Sequence, residues 1–305
     1  MAKSTSKLSG EKILVTGPTS QVAWPLARAL AQDNEVYGLA RFKTVPERER
    51  VEAAGVRALR ADLGEGRLDG VPDDFTYVLN FAVVKSGDFA YDLAANAEGA
   101  GRLMAHCRTA KAFLHCSSAA VYQYTGPGKI AEDAALGDNH RDVFPTYSLS
   151  KIAAESVVRF AARQWDLPTT IARFSVPYGN NGGWPWFHLL MMKGGTEIPI
   201  HSDRPCVYNP IHEDDYAAQI PGLLAVAGVP ATTVNWGGAP VALEQWCAYL
   251  GELTGLEPRF QPTERTIPPL ELDLARLHEL VGPAAVDWRE GIRRMVEARA
   301  PELLR

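Results

Sequence analysis

The regular alternation of short apolar runs with longer amphipathic stretches constrains this chain more than any other feature. Residues 12–16 (KILVT), 35–40, 56–60, 77–83 (YVLNFAV), 112–117 and 169–174 read as strands. Residues 22–31, 45–54, 90–107 and 146–165 carry helical periodicity between them. Strands this continuously apolar need cover on both faces, which a parallel sheet between two helical layers provides. The expected fold is α/β, a doubly wound parallel sheet (Rossmann-like) with a smaller C-terminal substrate lobe. The rhythm breaks after residue 176, where 177–210 is rich in Gly, Pro and Trp, and residues 211–236 look like a return to the sheet layer. This places a dinucleotide-binding domain at 11–176 with its return segment at 211–236, and a substrate lobe at 177–210 and 237–305. Ligands of such sheets sit at the carboxyl ends of the strands.

Composition excludes several classes. With 46% hydrophobic and 22% charged residues, the 305-residue chain has the balance of a packed globular protein. Lys+Arg 31 against Asp+Glu 36 leaves a net charge of −5, which argues against a nucleic-acid partner. No apolar run reaches the roughly 20 residues that cross a bilayer, and the polar opening is unlike a signal peptide, so a cytoplasmic protein with no membrane partner is expected. Cys107, Cys116, Cys206 and Cys247 are too scattered for a disulfide framework or a metal site, and no metal is expected.

The first strand runs into Thr16-Gly17-Pro18-Thr19-Ser20-Gln21-Val22-Ala23 and then a helix. A strand, a tight turn and a helix N-terminus together cradle a pyrophosphate on backbone N–H groups. Gly17 can make the turn and Ala23 keeps the helix close to the strand. Ser20, at the second glycine position, puts a side chain where backbone should meet phosphate, or offers a hydroxyl to it. At the end of the second strand a carboxylate selects NAD and a cation selects NADP. Here Arg41 follows Ala40, with Lys43 and Arg48 nearby and no acid. This is either a solvated basic loop or a seat for a 2′-phosphate, which Arg's planar fork suits. NADP is the expected cofactor, with NAD possible.

Tyr147-Ser-Leu-Ser-Lys151 opens a helix, and residues four apart share a face. A phenol with a reference pKa near 10 is a poor acid–base catalyst at neutral pH, and an adjacent ammonium favours its ionised form. The hydroxyl-rich end of the fifth strand, Cys116-Ser117-Ser118, faces the same crevice, where a serine can stabilise a developing alkoxide. Asn80, Phe81 and Ala82 lie where the chain must pass close to a cofactor, and Asp62 with Leu63 ends the third strand.

In this order the motifs resemble the extended short-chain dehydrogenase/reductase family, the NAD(P)-dependent epimerase/dehydratase group. The likeness runs from Ile13 to about Met295 and includes T-G-x-x-x-x-x-A, N-x-A at Asn80, N-x-x-G at Asn96, S-S-x-x-V-Y at Ser117, Y-x-x-x-K at Tyr147, P-Y-G at Pro177 and P-I-H-E-D-D at Pro210. The resemblance implies that Tyr147 exchanges a proton with the substrate oxygen, Lys151 holds the nicotinamide ribose and lowers the tyrosine pKa, and Ser118 polarises the carbonyl. It places Gly17, Thr19, Ser20, Gln21, Val22, Arg41, Asp62, Leu63, Asn80, Phe81, Ala82, Ser117 and Pro177 around the cofactor. It also implies a homodimer formed through helices 90–107 and 146–165.

Two departures bear on substrate. Val176 stands where sugar-nucleotide members carry Asn, and the arginine that grips the substrate pyrophosphate is missing from the Tyr208–His212 stretch. Arg204 and Arg173 are the only stand-ins, neither at the expected spacing. Trp184, Trp186, Phe187, Met191 and Met192 are lobe core or the wall of an apolar pocket, with Val176 and Tyr208 beside them. His212 with Asp214 and Asp215 is read as hydrogen-bonding structure. The expected function is hydride transfer to or from a small carbonyl or alcohol substrate. The alternatives are a nucleotide-sugar epimerase/dehydratase holding its NAD tightly, and a catalytically silent nucleotide sensor.

Overall fold

The computed structural model describes residues 7–305. Its centre is a sheet of seven strands: β1 (Lys12–Thr16), β2 (Glu35–Ala40), β3 (Arg57–Arg60), β4 (Tyr77–Asn80), β5 (Ala112–Ser118), β6 (Thr169–Phe174) and β7 (Thr232–Trp236). They lie in the order β7-β6-β5-β4-β1-β2-β3, and every pairing is parallel. All residues of β5 and β6 are buried, which is why their sequences show no alternation of apolar and polar residues. Ile13 and Val15 belong to the core on one face of the sheet and Leu14 to the core on the other, as the strand period of two requires. Strand order reverses at β1, so the crevice between the ends of β1 and β4 is the topological switch point at which such sheets bind ligands.

Most strands fall where the sequence places them. β4 is the exception, ending at Asn80 rather than at residue 83. Its continuation is captured across the sheet: Phe81 N and Ala82 N donate to Thr16 Oγ1 (3.0 and 2.9 Å), and that hydroxyl donates to Asn80 Oδ1 (2.8 Å). The chain is thereby turned out of the ladder and over the switch point.

The expected helix at 90–107 is interrupted. Phe89–Leu93 and Gly99–His106 are α-helical, but Ala94–Glu98 widens to a π-turn around Asn96. The Asn96 amide accepts from Val84 N (2.7 Å) and donates to Val84 O (2.8 Å) and Ser150 Oγ (3.1 Å). The loop after β4 is thus pinned to the Tyr147–Gln164 helix. Helix Val45–Ala53 buries only Val51, less than its expected apolar face.

The C-terminal segments build a separate core that includes Leu189, Ile198, Trp246, Leu250 and Met295. Pro177–Gly179 pairs with Ile211–His212 on one side and Gly182–Gly183 on the other in a small separate sheet, after which helix Glu213–Ala225 leads back to β7. No helix among the described residues is long and apolar enough to cross a membrane.

Candidate active site

Two cavities open at the carboxyl ends of the central strands, of about 500 and 290 Å³, and Ser20 and Val83 line both. The smaller is bounded by Gly17, Thr19, Arg41, Asp62, Leu63 and Ala82, the larger by Gln21, Val22, Phe81, Ser117, Ser118, Tyr147, Lys151 and Pro177. Asn80 lines neither, because its amide is spent on Thr16 Oγ1 and His115 Nδ1 (3.1 Å).

The turn after β1 has the features a dinucleotide needs. Gly17 has φ +71, and a Cβ there would lie 3.1 Å from Ala82 Cα. The Ser20 hydroxyl accepts from Ala23 N (3.1 Å), so its side chain folds onto the helix start and leaves the cradle clear. Gln21 Nε2 is a buried donor with no partner. These observations fit a bound pyrophosphate.

In the smaller cavity Arg41 Nη1 donates to Tyr91 Oη (2.8 Å), which donates to Asp62 Oδ2 (2.9 Å). The loop is less uniformly basic than its sequence reads. Glu47 lines the same cavity and accepts from Lys43 N, while Arg48 pairs with Glu52 on the exposed side of its helix.

Ser118 ends β5 and its hydroxyl accepts from Ala120 N (3.2 Å). Lys151 is almost fully buried, and its ammonium donates to Cys116 O (2.7 Å). Burial pushes the Lys151 pKa down. It pushes the Tyr147 phenol up to about 12, with the Ser118 hydroxyl pulling the other way. The expected depression of the phenol by Lys151 is therefore not what these residues produce by themselves; the ammonium is held on the strand's carbonyl. Ser117 lines the larger cavity, but its hydroxyl is committed to Glu155, donating to Oε1 (2.6 Å).

Glu155, fully buried, also accepts from Arg173 Nε (2.9 Å), Arg173 Nη2 (2.8 Å) and Arg159 Nη2 (2.8 Å). Arg173 is thus locked in an internal ion pair and cannot serve as a substrate clamp. Arg204 is exposed and lines neither cavity.

Val176, Trp184, Phe187 and Tyr208 line the larger cavity. Val176 has φ +21, a costly backbone for a β-branched residue. Trp184 meets Tyr208 edge-on at 5.1 Å, and Tyr208 Oη donates to Ile267 O (2.8 Å). Trp186 does not reach the cavity but lies beneath Arg299, 4.4 Å from ring centroid to guanidinium; Met191 and Met192 do not line it either. His212 caps helix Glu213–Ala225 by accepting from Asp214 N (3.2 Å), and Asp215 accepts from Ala285 N and Val286 N (2.8 and 3.0 Å).

Sequence reasoning missed Lys85, His140 and Phe144, all on the larger cavity. The Lys85 ammonium lies 4.5 and 4.6 Å from the ring centroids of Phe144 and Tyr147. His140 stacks on Phe144, and burial with the nearby Lys85 charge brings its pKa down to about 3. They come from irregular loops without periodicity, and no motif marks them.

Fold and site together define a dinucleotide-binding α/β enzyme with a Tyr–Lys–Ser set at the switch point. The chain belongs to the NAD-dependent epimerase/dehydratase family, whose model matches residues 13–226. Among solved structures it is similar to UDP-glucuronic acid 4-epimerase from Bacillus cereus in complex with UDP-glucuronic acid and NAD (18% identity, TM-score 0.80, covering 94% of this chain and 98% of that one). It is likewise similar to UDP-N-acetylglucosamine 4-epimerase from Methanobrevibacter ruminantium M1 (15% identity, TM-score 0.82, 97% and 100% covered). A third is dTDP-glucose 4,6-dehydratase from Streptomyces venezuelae with NAD bound (19% identity, TM-score 0.78, 94% and 96% covered). None of the curated protein sequences matches the chain.

Proposed function

We propose that the protein is an NADP-preferring oxidoreductase that transfers hydride to or from a small carbonyl or alcohol substrate. The observation that carries this reading is that Ser118, Tyr147 and Lys151 share one cavity with Ser20, Gln21 and Val22 of the phosphate turn. When bound, the nicotinamide group supplies or accepts the hydride. Gly17, Ser20, Gln21 and Val22 hold the pyrophosphate, and Asp62 and Leu63 border the adenine. Tyr147 Oη, protonated at rest because burial holds its pKa up, donates its proton to the substrate oxygen in the reduction direction. The Ser118 hydroxyl polarises that oxygen, and Lys151 fixes the ribose.

Arg41 at the rim of the smaller cavity supports NADP, since its guanidinium keeps donors beyond the one used on Tyr91. Small, partly apolar substrates are supported by Val176, Trp184, Phe187, Tyr208, Ile267 and Leu270 in the larger cavity, and by the absence of any lining arginine among the described residues. The second reading, a nucleotide-sugar epimerase or dehydratase that retains NAD, is favoured by the structural likeness to such enzymes. A homodimer through the outer face of helix Tyr147–Gln164 is supported by exposed Leu149 and Phe160, and sedimentation as a monomer at micromolar concentration rejects it. Four unpaired, buried cysteines support a cytoplasmic setting.

The test is a parallel titration with NADPH and NADH by reduced-nicotinamide fluorescence, after assay for copurified nucleotide. Tighter NADPH binding that Arg41→Ala removes is the expected result. Tightly retained NAD favours the second reading, and binding of neither cofactor refutes both. Tyr147→Phe is expected to keep cofactor affinity and lose roughly 10²–10⁴-fold in turnover.

A further inference from the structure

We propose that the substrate carries a carboxylate that docks on Lys85, an assignment that rests on the proposed function and names the substrate class of the same cavity. No aspartate or glutamate lines the larger cavity among the described residues; its formal charges are Lys85 and Lys151. Lys151 is already accounted for, buried against the Cys116 carbonyl. Lys85 is different. Its ammonium lies over the Phe144 and Tyr147 rings, beside the phenol that exchanges the proton, with no carboxylate among the described residues near enough to compensate it.

The acids of its own loop are committed elsewhere. Asp92 is buried and accepts from Ser86 Oγ (2.7 Å), Ser86 N (3.1 Å), Gly87 N (3.3 Å) and Thr146 Oγ1. Asp88 caps its helix through Tyr91 N (3.1 Å). Of the two titratable rings facing Lys85, His140 is held neutral and Tyr147 protonated, so neither brings a counter-charge. Desolvation by the rings and the like charge of Lys151 both hold the Lys85 pKa down, although the residue as a whole is exposed. Two cations facing one crevice without an acid raise its potential and favour an anionic ligand. Lys85 is exposed at the mouth of the cavity with its ammonium over two aromatic faces, where a carboxylate can reach it and add charge-assisted hydrogen bonds. Trp184, Phe187 and Tyr208 supply the apolar remainder of the wall, so the ligand class is a small apolar carboxylate bearing a carbonyl or hydroxyl group. The cofactor's own phosphates are the other source of negative charge, and the experiment separates the two.

The enzyme is saturated with NADPH or NADH and titrated with phenylacetate and, in parallel, with its neutral amide, following nicotinamide fluorescence. The wild-type protein is expected to bind phenylacetate at least about tenfold more tightly than phenylacetamide, as a charge-assisted contact allows. Lys85→Gln should bring the two to parity, and Lys85→Arg should retain the preference. Equal binding by the wild type, or a preference that survives in Lys85→Gln, overturns the assignment. So does a comparable loss of NAD(P)H affinity in Lys85→Gln, which gives Lys85 to the cofactor phosphates. Failure of the wild type to bind either cofactor refutes the proposed function itself, whereas normal cofactor binding without anion preference refutes only the role of Lys85.

Discussion

Replacing Glu155 with glutamine removes one charge from the centre of the network behind Ser117 and Lys151 while keeping the side-chain volume. The carboxylate has no solvent exposure, and its main partner, Arg173, is only 2% exposed, so water cannot substitute for it. Arg159 is different: its side chain is 34% exposed and can turn outward. The variant therefore leaves essentially one guanidinium buried without a counter-charge, which costs about 3–5 kcal/mol. For a chain of 305 residues the unfolding entropy is about 0.6 kcal/mol per degree, so the melting temperature should fall by about 5–8 °C. Thermal unfolding followed by circular dichroism reads this directly. A double variant, Glu155→Leu with Arg173→Met, should recover at least about half of the loss, because it removes the stranded charge along with its partner. A fall of less than about 2 °C in Glu155→Gln, or a double variant worse than the single one, refutes the reasoning.

Two further outcomes are expected. His115 and His188 are held neutral by burial at pKa values of about 3 and 4, the Lys151 charge also acting on His115, whereas unfolded histidine titrates near 6.5. The unfolded chain binds more protons between those values, so stability is present above pH about 6.5 and falls as the pH drops, by up to about 1.4 kcal/mol per pH unit for each ring; an unchanged melting temperature between pH 7.5 and 5 contradicts this. Gly17→Ala forces a side chain into φ +71 and to 3.1 Å from Ala82 Cα, and should weaken NAD(P)H binding at least about tenfold while the far-ultraviolet dichroism stays unchanged. Undiminished affinity would remove the cradle from the account of the site.

The sheet was legible in the sequence because two-sided burial leaves so little freedom: β5 and β6 are buried throughout and show no alternation of apolar and polar residues. The Tyr147 to Lys151 face and the turn at Gly17 were legible because their spacing is local. What escaped depends on contacts between residues far apart in the chain. The early end of β4 is decided by the Thr16 hydroxyl, more than sixty residues upstream. Arg173 looked available until folding set it beside Glu155. Trp184 and Trp186 were grouped by composition, yet residues two apart on a helix point about 200° apart, so only the first, with Phe187 three residues on, reaches the cavity. Lys85 and His140 lie on loops whose paths are set by the Asn96 clamp and by the aromatic stack, and neither leaves a periodic trace.

The chain leaves the sheet at Phe174 and rejoins it at Thr232, on the immediately adjacent strand. Between them, Val176, Trp184 and Tyr208 belong to an excursion whose two ends are fastened on neighbouring strands, before helix Glu213–Ala225 packs back onto the sheet. Lengthening such an excursion adds closure entropy only logarithmically, about 0.6 kcal/mol per doubling. On the proposed reading, substrate preference can therefore be rewritten in residues 176–210 by insertion, deletion or exchange while the strand that carries Ser118, and the helix that carries Tyr147 and Lys151, keep their register. On that reading the chemistry travels with the sheet, and the choice of substrate is left to a replaceable part.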